Sequence, residues 1–483
     1  MQLANRSRSK YSWFLEKTGV MYKEYQEVGV SWCVNLETHN NPSLPVHGGF
    51  IADEMGLGKT IMMIGTMICN YLPHTLIVLP NILLEQWAQE IYKTTKHNVL
   101  LYHGKDKNKI TMEQLMAAPI VLTTYSTISL NSSAILFEMN WDRIVFDEAH
   151  HLRNNNRRSI GAWLLKSKIR WLISGTPIQN KKKDFYNLCS VLKMPTSYYT
   201  EPENLSHLID NFVLRRTKKQ VGIEIPDVIF DDQLVFWGTE EEKKLADDIH
   251  RASKKAGRNL RLKLYLQARQ TCILPSLLTG KMNNMISSGI LPPINLETLN
   301  KCSKIDAVIH SIISRKGNGN GKLIFCNFQG EIDTIYTRLF NNGITRICII
   351  DGRTTQFERA KNIKNNRLFE VIILQIQTGC EGLNLQEHFS EVYFVSPNWN
   401  PFVEKQAVAR VHRIGQKKEV SVFMFQMNDF VKQNQIESIH NEDQDEDEDL
   451  EDDEDIIIPS LDSYISQVKI NKIKMVEEIL PTI

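Results

Sequence analysis

Four short stretches carry residue types that could do chemistry together. Asp53-Glu-Met-Gly56-Leu-Gly58-Lys59-Thr60 follows the apolar run Gly49–Ala52 and opens onto Ile61-Met-Met-Ile64. Strand, glycine-rich turn and helix in that order point backbone N–H groups and a positive helix end at an anion. Phosphate fits: Gly56 and Gly58 shape the turn, Lys59 reaches the β and γ phosphates, and the Thr60 hydroxyl ligates Mg²⁺. The strict pattern wants glycine where Asp53 stands. Arg143–His150 (RIVFDEAH) ends an apolar run in two carboxylates, at the strand end where open α/β sheets bind ligands. Asp147 suits the Mg²⁺, directly or through water, and Glu148 suits taking a proton from an attacking water. Ser174, Gly175 and Thr176 follow another strand; such hydroxyls can bond the carboxylates and nearby backbone, and so link nucleotide state to shape. In Gln406–Gln416 (QAVARVHRIGQ), Arg410 and Arg413 stand three apart, hence on one helix face. Arginines offered from a second domain neutralise transition-state charge on a γ-phosphate. Taken singly, each stretch also reads as plain structure: a turn, two surface acids, or a basic helix paired with acids.

The elements that must position these residues are legible as well. Continuous β-branched runs occur at Thr75–Leu79, Ile120–Thr124, Arg143–Asp147 and Arg170–Ser174. They resume at Leu323–Cys326, Arg346–Ile350, Val371–Ile376, Glu391–Val395 and Val420–Phe425. Helical patterns alternate with them, which predicts parallel sheets covered on both faces. The fold class is therefore α/β: two parallel-sheet lobes with a helical insertion between them. Met21–Trp32 is amphipathic at helical spacing, and within it Gln26 has an amide able to pair with an adenine edge.

Composition bounds the function. The chain has 483 residues, enough for two or three full cores, and no apolar run approaches the ~20 residues that cross a bilayer. Its eight cysteines include no Cys-x-x-Cys pair, which argues against a zinc finger, a RING domain or a disulfide framework. The net charge of +1 conceals an asymmetry. Residues 442–455 are acidic at every position but Gln444 and Leu450, so the rest of the chain carries about +13. A basic body suits a polyanion partner, and so charged a run is expected to be disordered. It reads equally as a solubilising tail or as a segment that masks a basic groove.

With these blocks in this order, the chain resembles the SNF2 family of superfamily-2, helicase-like, DNA-dependent ATPases, from about Tyr22 to Val420. DEMGLGKT, with its leading aspartate, is the family's own form. Further blocks match in register: Leu76–Pro80 with Trp87 and Glu90, Tyr102–Gly104, Thr123–Tyr125, Leu214–Lys218, Phe325–Phe328, Asp351-Gly352 with Arg359, Gly379–Leu385 and Trp399–Pro401. The second half looks most like the branch containing helicase-like transcription factor, without that branch's RING finger. Gln375-Ile376 stands where many members have Ser-Thr, and Ser396-Pro-Asn398 replaces an acidic-Ser-acidic run; both bear on DNA coupling.

The resemblance implies a flexible basic stretch 1–20, an ATP-binding RecA-like lobe 21–230, a helical region 231–300 and a second RecA-like lobe 301–436. An acidic disordered segment 437–457 and a helical segment 458–483 follow. It implies ATP and Mg²⁺ as cofactors, with Gln26, Asp53, Gly56, Gly58, Lys59, Thr60 and Gln406 around the nucleotide and Thr60 and Asp147 on the metal. Glu148, Arg410 and Arg413 complete catalysis, and Ser174, Gly175 and Thr176 provide coupling. Duplex DNA would be held through its phosphates by segments containing Pro80, Trp87, Thr124, Lys322, Gly379 and Asn384. Histones or other DNA-bound proteins are the further partners, and the enzyme is a monomer of the nucleus or another intracellular DNA-containing compartment. The activity implied is translocation on duplex DNA that remodels or displaces bound proteins. A strand-separating helicase and an ATP-gated DNA-binding factor are the alternatives.

Overall fold

The computed structural model describes residues 2–39, 44, 46–130, 134–293, 299–379, 383–430 and 459–479. The acidic segment 437–457 lies outside the described residues. The chain forms two compact units, one running to Ile225 and taking in the stretch from Lys472, the other spanning Pro226–Asn471. No helix among the described residues is long and apolar enough to cross a membrane.

The first unit is built on seven strands: β1 (His47–Ile51), β2 (Thr75–Leu79), β3 (Leu100–Leu101), β4 (Ile120–Thr124), β5 (Asn140–Asp147), β6 (Lys166–Ile173) and β7 (Val213–Leu214). Their order is β3-β4-β2-β5-β6-β1-β7, and every pairing is parallel. All five residues of β2 are buried, as a continuous apolar run between two helix layers requires. Register then fixes the chemistry. Asp147 pairs with Ile173, and Ile173 with Ile51, so the segments leaving β5, β6 and β1 emerge side by side at one edge.

The second unit holds β8 (Val228–Val235), β9 (Gly321–Cys326), β10 (Ile347–Ile350), β11 (Val371–Gln375), β12 (Phe389–Phe394) and β13 (Val420–Met427). The order is β10-β11-β9-β12-β13-β8, again wholly parallel. Helices Glu240–Lys255 and Arg258–Ile273 bury Leu245, Ile249, Ala268 and Cys272 in the same core as Ile324, Tyr393 and Phe425 of this sheet. The first of them has Thr239 as N-cap, acids in its first turn and lysines in its last, each favourable to the helix dipole. The helical region is thus a layer of the second unit. β8 straddles residue 230, where the sequence places the end of the first lobe, and belongs to the second sheet.

The N-terminus differs from the expected flexible stretch. Gln2–Thr18 is a helix, and its Tyr11, Phe14 and Leu15 are buried with Val30, Val34 and Met63. Spacing of three and four residues puts those side chains on one face; the basic residues that flank them, Arg6, Arg8, Lys10 and Lys17, conceal the stripe.

Candidate nucleotide-binding and catalytic site

The site of the first unit begins at the turn after β1. Gly56 and Gly58 have φ of 91° and 78°, a left-handed backbone that glycine adopts without steric cost, and Gly58 caps the helix Lys59–Cys69. Lys59 Nζ donates to the carbonyls of Asp53 (2.8 Å) and Glu54 (3.3 Å), which holds it over the turn. Gly175 packs against the same turn: a Cβ there would lie 3.0 Å from Met55 Cγ and 3.4 Å from Lys59 Nζ. Gln26, buried on the helix Glu24–Thr38, donates through Nε2 to the Leu57 carbonyl at 3.0 Å. The Tyr25 hydroxyl donates to that same oxygen at 3.0 Å.

Asp53 is a correction. Its fully buried carboxylate is not turned to a nucleotide but is taken by Arg216: Nη2 at 2.6 Å on one oxygen, Nε at 3.1 Å and the backbone N–H at 2.9 Å on the other. Lys218 pairs with Glu54 at 2.9 Å, and the Leu214 carbonyl accepts from the Ala52 N–H at 2.7 Å. The segment 214–218 therefore braces the loop from outside. Arg216 also donates to the Tyr25 carbonyl at 2.5 Å and lies 5.4 Å from that ring. Sequence reasoning quoted this block but gave Arg216 no role; the signal was an aspartate at a glycine's place, asking for a cation.

At the end of β5 both Asp147 oxygens are occupied. Trp87 Nε1 donates to Oδ2 at 2.7 Å and the Glu148 N–H to Oδ1 at 2.9 Å, while the Tyr125 hydroxyl donates to the Asp147 carbonyl at 2.6 Å. Burial, and then the charge of Glu148, raise the Asp147 carboxyl well above the usual aspartate range. Glu148 has φ 51° and ψ 49°, a left-handed conformation costly for a residue with a Cβ. His150 lies between Glu148 (3.3 Å) and the Ser174 hydroxyl (3.4 Å), and Thr176 N–H donates to that hydroxyl at 3.2 Å. Arg153 donates to Gln179 at 2.5 Å, and Gln179 Nε2 to Thr176 Oγ1 at 3.3 Å. The Ser-Gly-Thr stretch thus meets the carboxylate stretch through His150 and Arg153.

Hard oxygen donors are few here: the Thr60 hydroxyl at the helix start and the carboxylates at the end of β5. That set suits Mg²⁺, which keeps several waters and leans on phosphate oxygens. The raised Asp147 carboxyl fits as well, since a cation would draw it back to its ionised form.

The second unit carries its own group. Helix Pro401–Val408 ends before the arginines, so Arg410 and Arg413 sit in the turns that follow rather than on one helix face. Arg410 Nε donates to the Gln406 carbonyl at 3.1 Å, and the Leu385 N–H to the Arg410 carbonyl at 3.1 Å. Arg413 bonds Asn384 and is lowered to about 10 by burial and then by Arg410, which leaves it charged at neutral pH. Buried Gln406 has an Nε2 that finds no acceptor among the described residues. Gln375 accepts from the Gly352 N–H at 3.2 Å and donates to the Asn327 carbonyl at 3.4 Å, so it ties three loops at the ends of β9, β10 and β11.

The expected DNA contacts need most correction. Pro80, Trp87 and Thr124 are buried: Trp87 serves Asp147, and Thr124 bonds Ser126 and Thr127 at 2.9 Å. Lys322 is buried too, 3.6 Å from Glu391 and bonded to Asn318 and Asn320. A lysine so enclosed neutralises a carboxylate within the fold and offers nothing to a phosphate. Asn384 is exposed, and Gly379 ends the short helix Ile376–Gly379.

Comparison with known proteins gives the family. Residues 25–243 match the SNF2-related domain and residues 303–415 the helicase conserved C-terminal domain. The chain is similar to the ATP-dependent DNA helicase DDM1 of Arabidopsis thaliana, 27% identical over 84% of this chain and 59% of that one. It is similar to the ISWI chromatin-remodeling complex ATPase ISW2 of Saccharomyces cerevisiae, 30% identical over 86% of this chain and 40% of that one. It thus spans three fifths or less of these relatives' lengths. Among solved structures it is similar to the Sulfolobus solfataricus SWI2/SNF2 ATPase core in complex with dsDNA, 25% identical over 85% of this chain and 88% of that one, with a TM-score of 0.41.

Proposed function

Because this chain belongs to the SNF2 family of helicase-like ATPases, we propose that it hydrolyses ATP to move along duplex DNA and to remodel or displace proteins bound there. The observation that carries the reading is the shared edge of β1, β6 and β5. It sets the Lys59–Thr60 turn, the Ser174–Thr176 stretch and Asp147-Glu148 next to one another. Gln26 beside the loop would read the base, while Lys59 and the loop N–H groups hold the phosphates. Mg²⁺ would neutralise charge on the phosphate oxygens, with Thr60 and Asp147 as the protein oxygens offered to it. Glu148 would take the proton from the attacking water, in the pose its left-handed backbone fixes. Arg410 and Arg413 would supply positive charge to the transition state. DNA would be gripped by its phosphates, in whichever compartment holds it.

The test is ATP turnover with no nucleic acid, single-stranded DNA, duplex DNA and nucleosomes, beside displacement of a third strand from a triplex and unwinding of a forked duplex. Turnover stimulated by duplex, with triplex displaced and the fork intact, supports translocation. Fork unwinding would instead identify a strand-separating helicase, and turnover indifferent to DNA would remove the proposal.

A further inference from the structure

Two segments that leave the edge of the first sheet meet again beyond it. After Asp147-Glu148 the chain runs through Arg153 into the helix Arg157–Leu164, and after Ser174–Thr176 it runs through Gln179 into the helix Lys182–Val191. The first of these helices is built inside out. Its buried residues are small, Ser159, Gly161 and Ala162, and a Cβ on Gly161 would lie 1.7 Å from the Ile128 carbonyl oxygen. Its large apolar residues face outward: Ile160, Trp163 and Leu164 are 37%, 47% and 43% exposed, and spacing of three and four puts them on one face. Beside that stripe, between the two helices, is a cleft of about 240 Å³ lined by Asn155, Ser159, Ile160, Trp163, Asn187 and Ser190. Its walls are fixed. Asn187 Nδ2 donates to the Arg153 carbonyl at 2.6 Å, and buried Arg170 donates from Nη1 to the carbonyls of Ala162 and Val191, at 3.0 Å each, toward the far ends of both helices.

We infer that the cleft and the stripe beside it are a docking surface for an acidic, amphipathic helical segment of a partner protein. The apolar part asks for protein. An exposed apolar stripe rimmed by polar residues marks an interface, and the cleft is smaller than the ~300–1,000 Å³ of small-molecule sites, so it suits one anchoring side chain. The rim gives the partner's charge. Arg157 and Arg158 open the first helix and Lys181, Lys182 and Lys183 the second; all five are exposed, at helix ends whose dipoles are already positive. Lys193 lies over the Trp163 ring, 3.1 Å from its centre. Between residues 155 and 193 the single acid is Asp184, which is buried and accepts the N–H groups of Gln179 and Asn180. Cations without acids, next to an apolar stripe, select carboxylates that flank apolar anchors. A phosphate backbone answers the cations but leaves the stripe bare, and a second copy of this face would set cations against cations. The chain's own acidic stretch 442–455 has Leu450 as its one apolar residue, a single anchor for three exposed side chains.

The experiment uses the full chain and fluorescein-labelled peptides, with binding read by anisotropy. The probe is a helical peptide with Leu and Phe at spacings of three and four residues and Asp or Glu on its other faces. A companion peptide of equal charge carries Ser at every apolar position. The docking role predicts that the amphipathic peptide binds about tenfold or more tighter than its companion, and that it weakens as salt rises and screens the rim. Ile160→Ser combined with Trp163→Ser should weaken it about tenfold or more, and Lys182→Glu combined with Lys183→Glu about fivefold or more at low salt. All four side chains are exposed, so both double variants should keep the wild-type urea midpoint. Equal binding of the two peptides, or binding of neither, would overturn the inference. So would displacement of the peptide by duplex DNA whose own affinity falls in step in the lysine variant, because the face would then belong to nucleic acid. Peptide binding that tightens about tenfold when residues 442–455 are deleted would assign the surface to the chain's own acidic stretch, and would overturn it as well.

Discussion

Replacing Asp53 by glycine would restore the strict phosphate-loop pattern, yet the structure predicts that this substitution damages the loop. The Asp53 carboxylate is fully buried and accepts three N–H donors from Arg216, one of them at 2.6 Å. Removing one partner of a buried ion pair costs about 3–5 kcal/mol, because the other is left desolvated. Arg216 keeps 16% side-chain exposure and its bond to the Tyr25 carbonyl, so the lower end applies, about 3 kcal/mol. The added backbone freedom of glycine contributes roughly another 0.5–1 kcal/mol. Urea unfolding of Asp53→Gly, followed by tryptophan fluorescence, should show the first unit's transition moved by that amount. Fluorescent ATP should bind at least tenfold more weakly, since a 1.4 kcal/mol loosening of the loop is already a factor of ten. Pairing the change with Arg216→Met should recover much of the stability, as no unpaired cation then remains. An Asp53→Gly variant as stable as wild type, or one that binds ATP more tightly, would refute the brace.

Glu148→Gln should keep ATP binding and lower turnover by about 10²–10⁴, the range for losing a general base, checked by single-turnover hydrolysis beside nucleotide titration. Arg410→Ala and Arg413→Ala should each slow hydrolysis by about 10³–10⁵ while ATP affinity holds; a matching loss of affinity would mean they act on binding instead. Lys322→Ala should cost the second unit only about 1–2 kcal/mol, because Arg315 (3.1 Å), Asn318, Asn320 and Tyr393 still hold Glu391, yet leave the salt dependence of duplex binding unchanged. Acid should weaken the second unit through His250, which donates from Nδ1 to the Ala246 carbonyl (2.6 Å) and accepts the Leu461 N–H on Nε2 (2.9 Å). Burial lowers its folded pKa to about 4, against 6.5 for the free side chain. The unfolded chain therefore takes up a proton first: the contribution is complete above about pH 6.5 and is lost as pH falls toward 4, on the order of 3 kcal/mol in all. Urea midpoints at pH 7 and pH 4.5 check it, and a His250→Gln variant should lose most of that pH dependence.

What the sequence revealed and what it hid divide along a physical line. Strand runs such as Thr75–Leu79 are legible because burial on both faces demands unbroken apolar residues, and the phosphate turn because a left-handed backbone demands glycine. Both constraints are local. The division of labour among polar residues is not, because it depends on partners about sixty or more positions away. Trp87 and Lys322 look like surface contacts in a list of motifs, but Asp147 and Glu391 respectively draw them inside. Asp53 looks like a defect in a phosphate loop until Arg216, more than 160 residues on, supplies its cation. The same logic explains the misread N-terminus: Tyr11, Phe14 and Leu15 make a buried stripe because the helices Glu24–Thr38 and Lys59–Cys69 offer Val30, Val34 and Met63 to cover it. Asp53 began as a candidate around the nucleotide and Asp147 as a candidate on its metal. Their partners separate them: a cation already neutralises the first, whereas the second is held by neutral donors and has its carboxyl raised by burial and by the charge of Glu148.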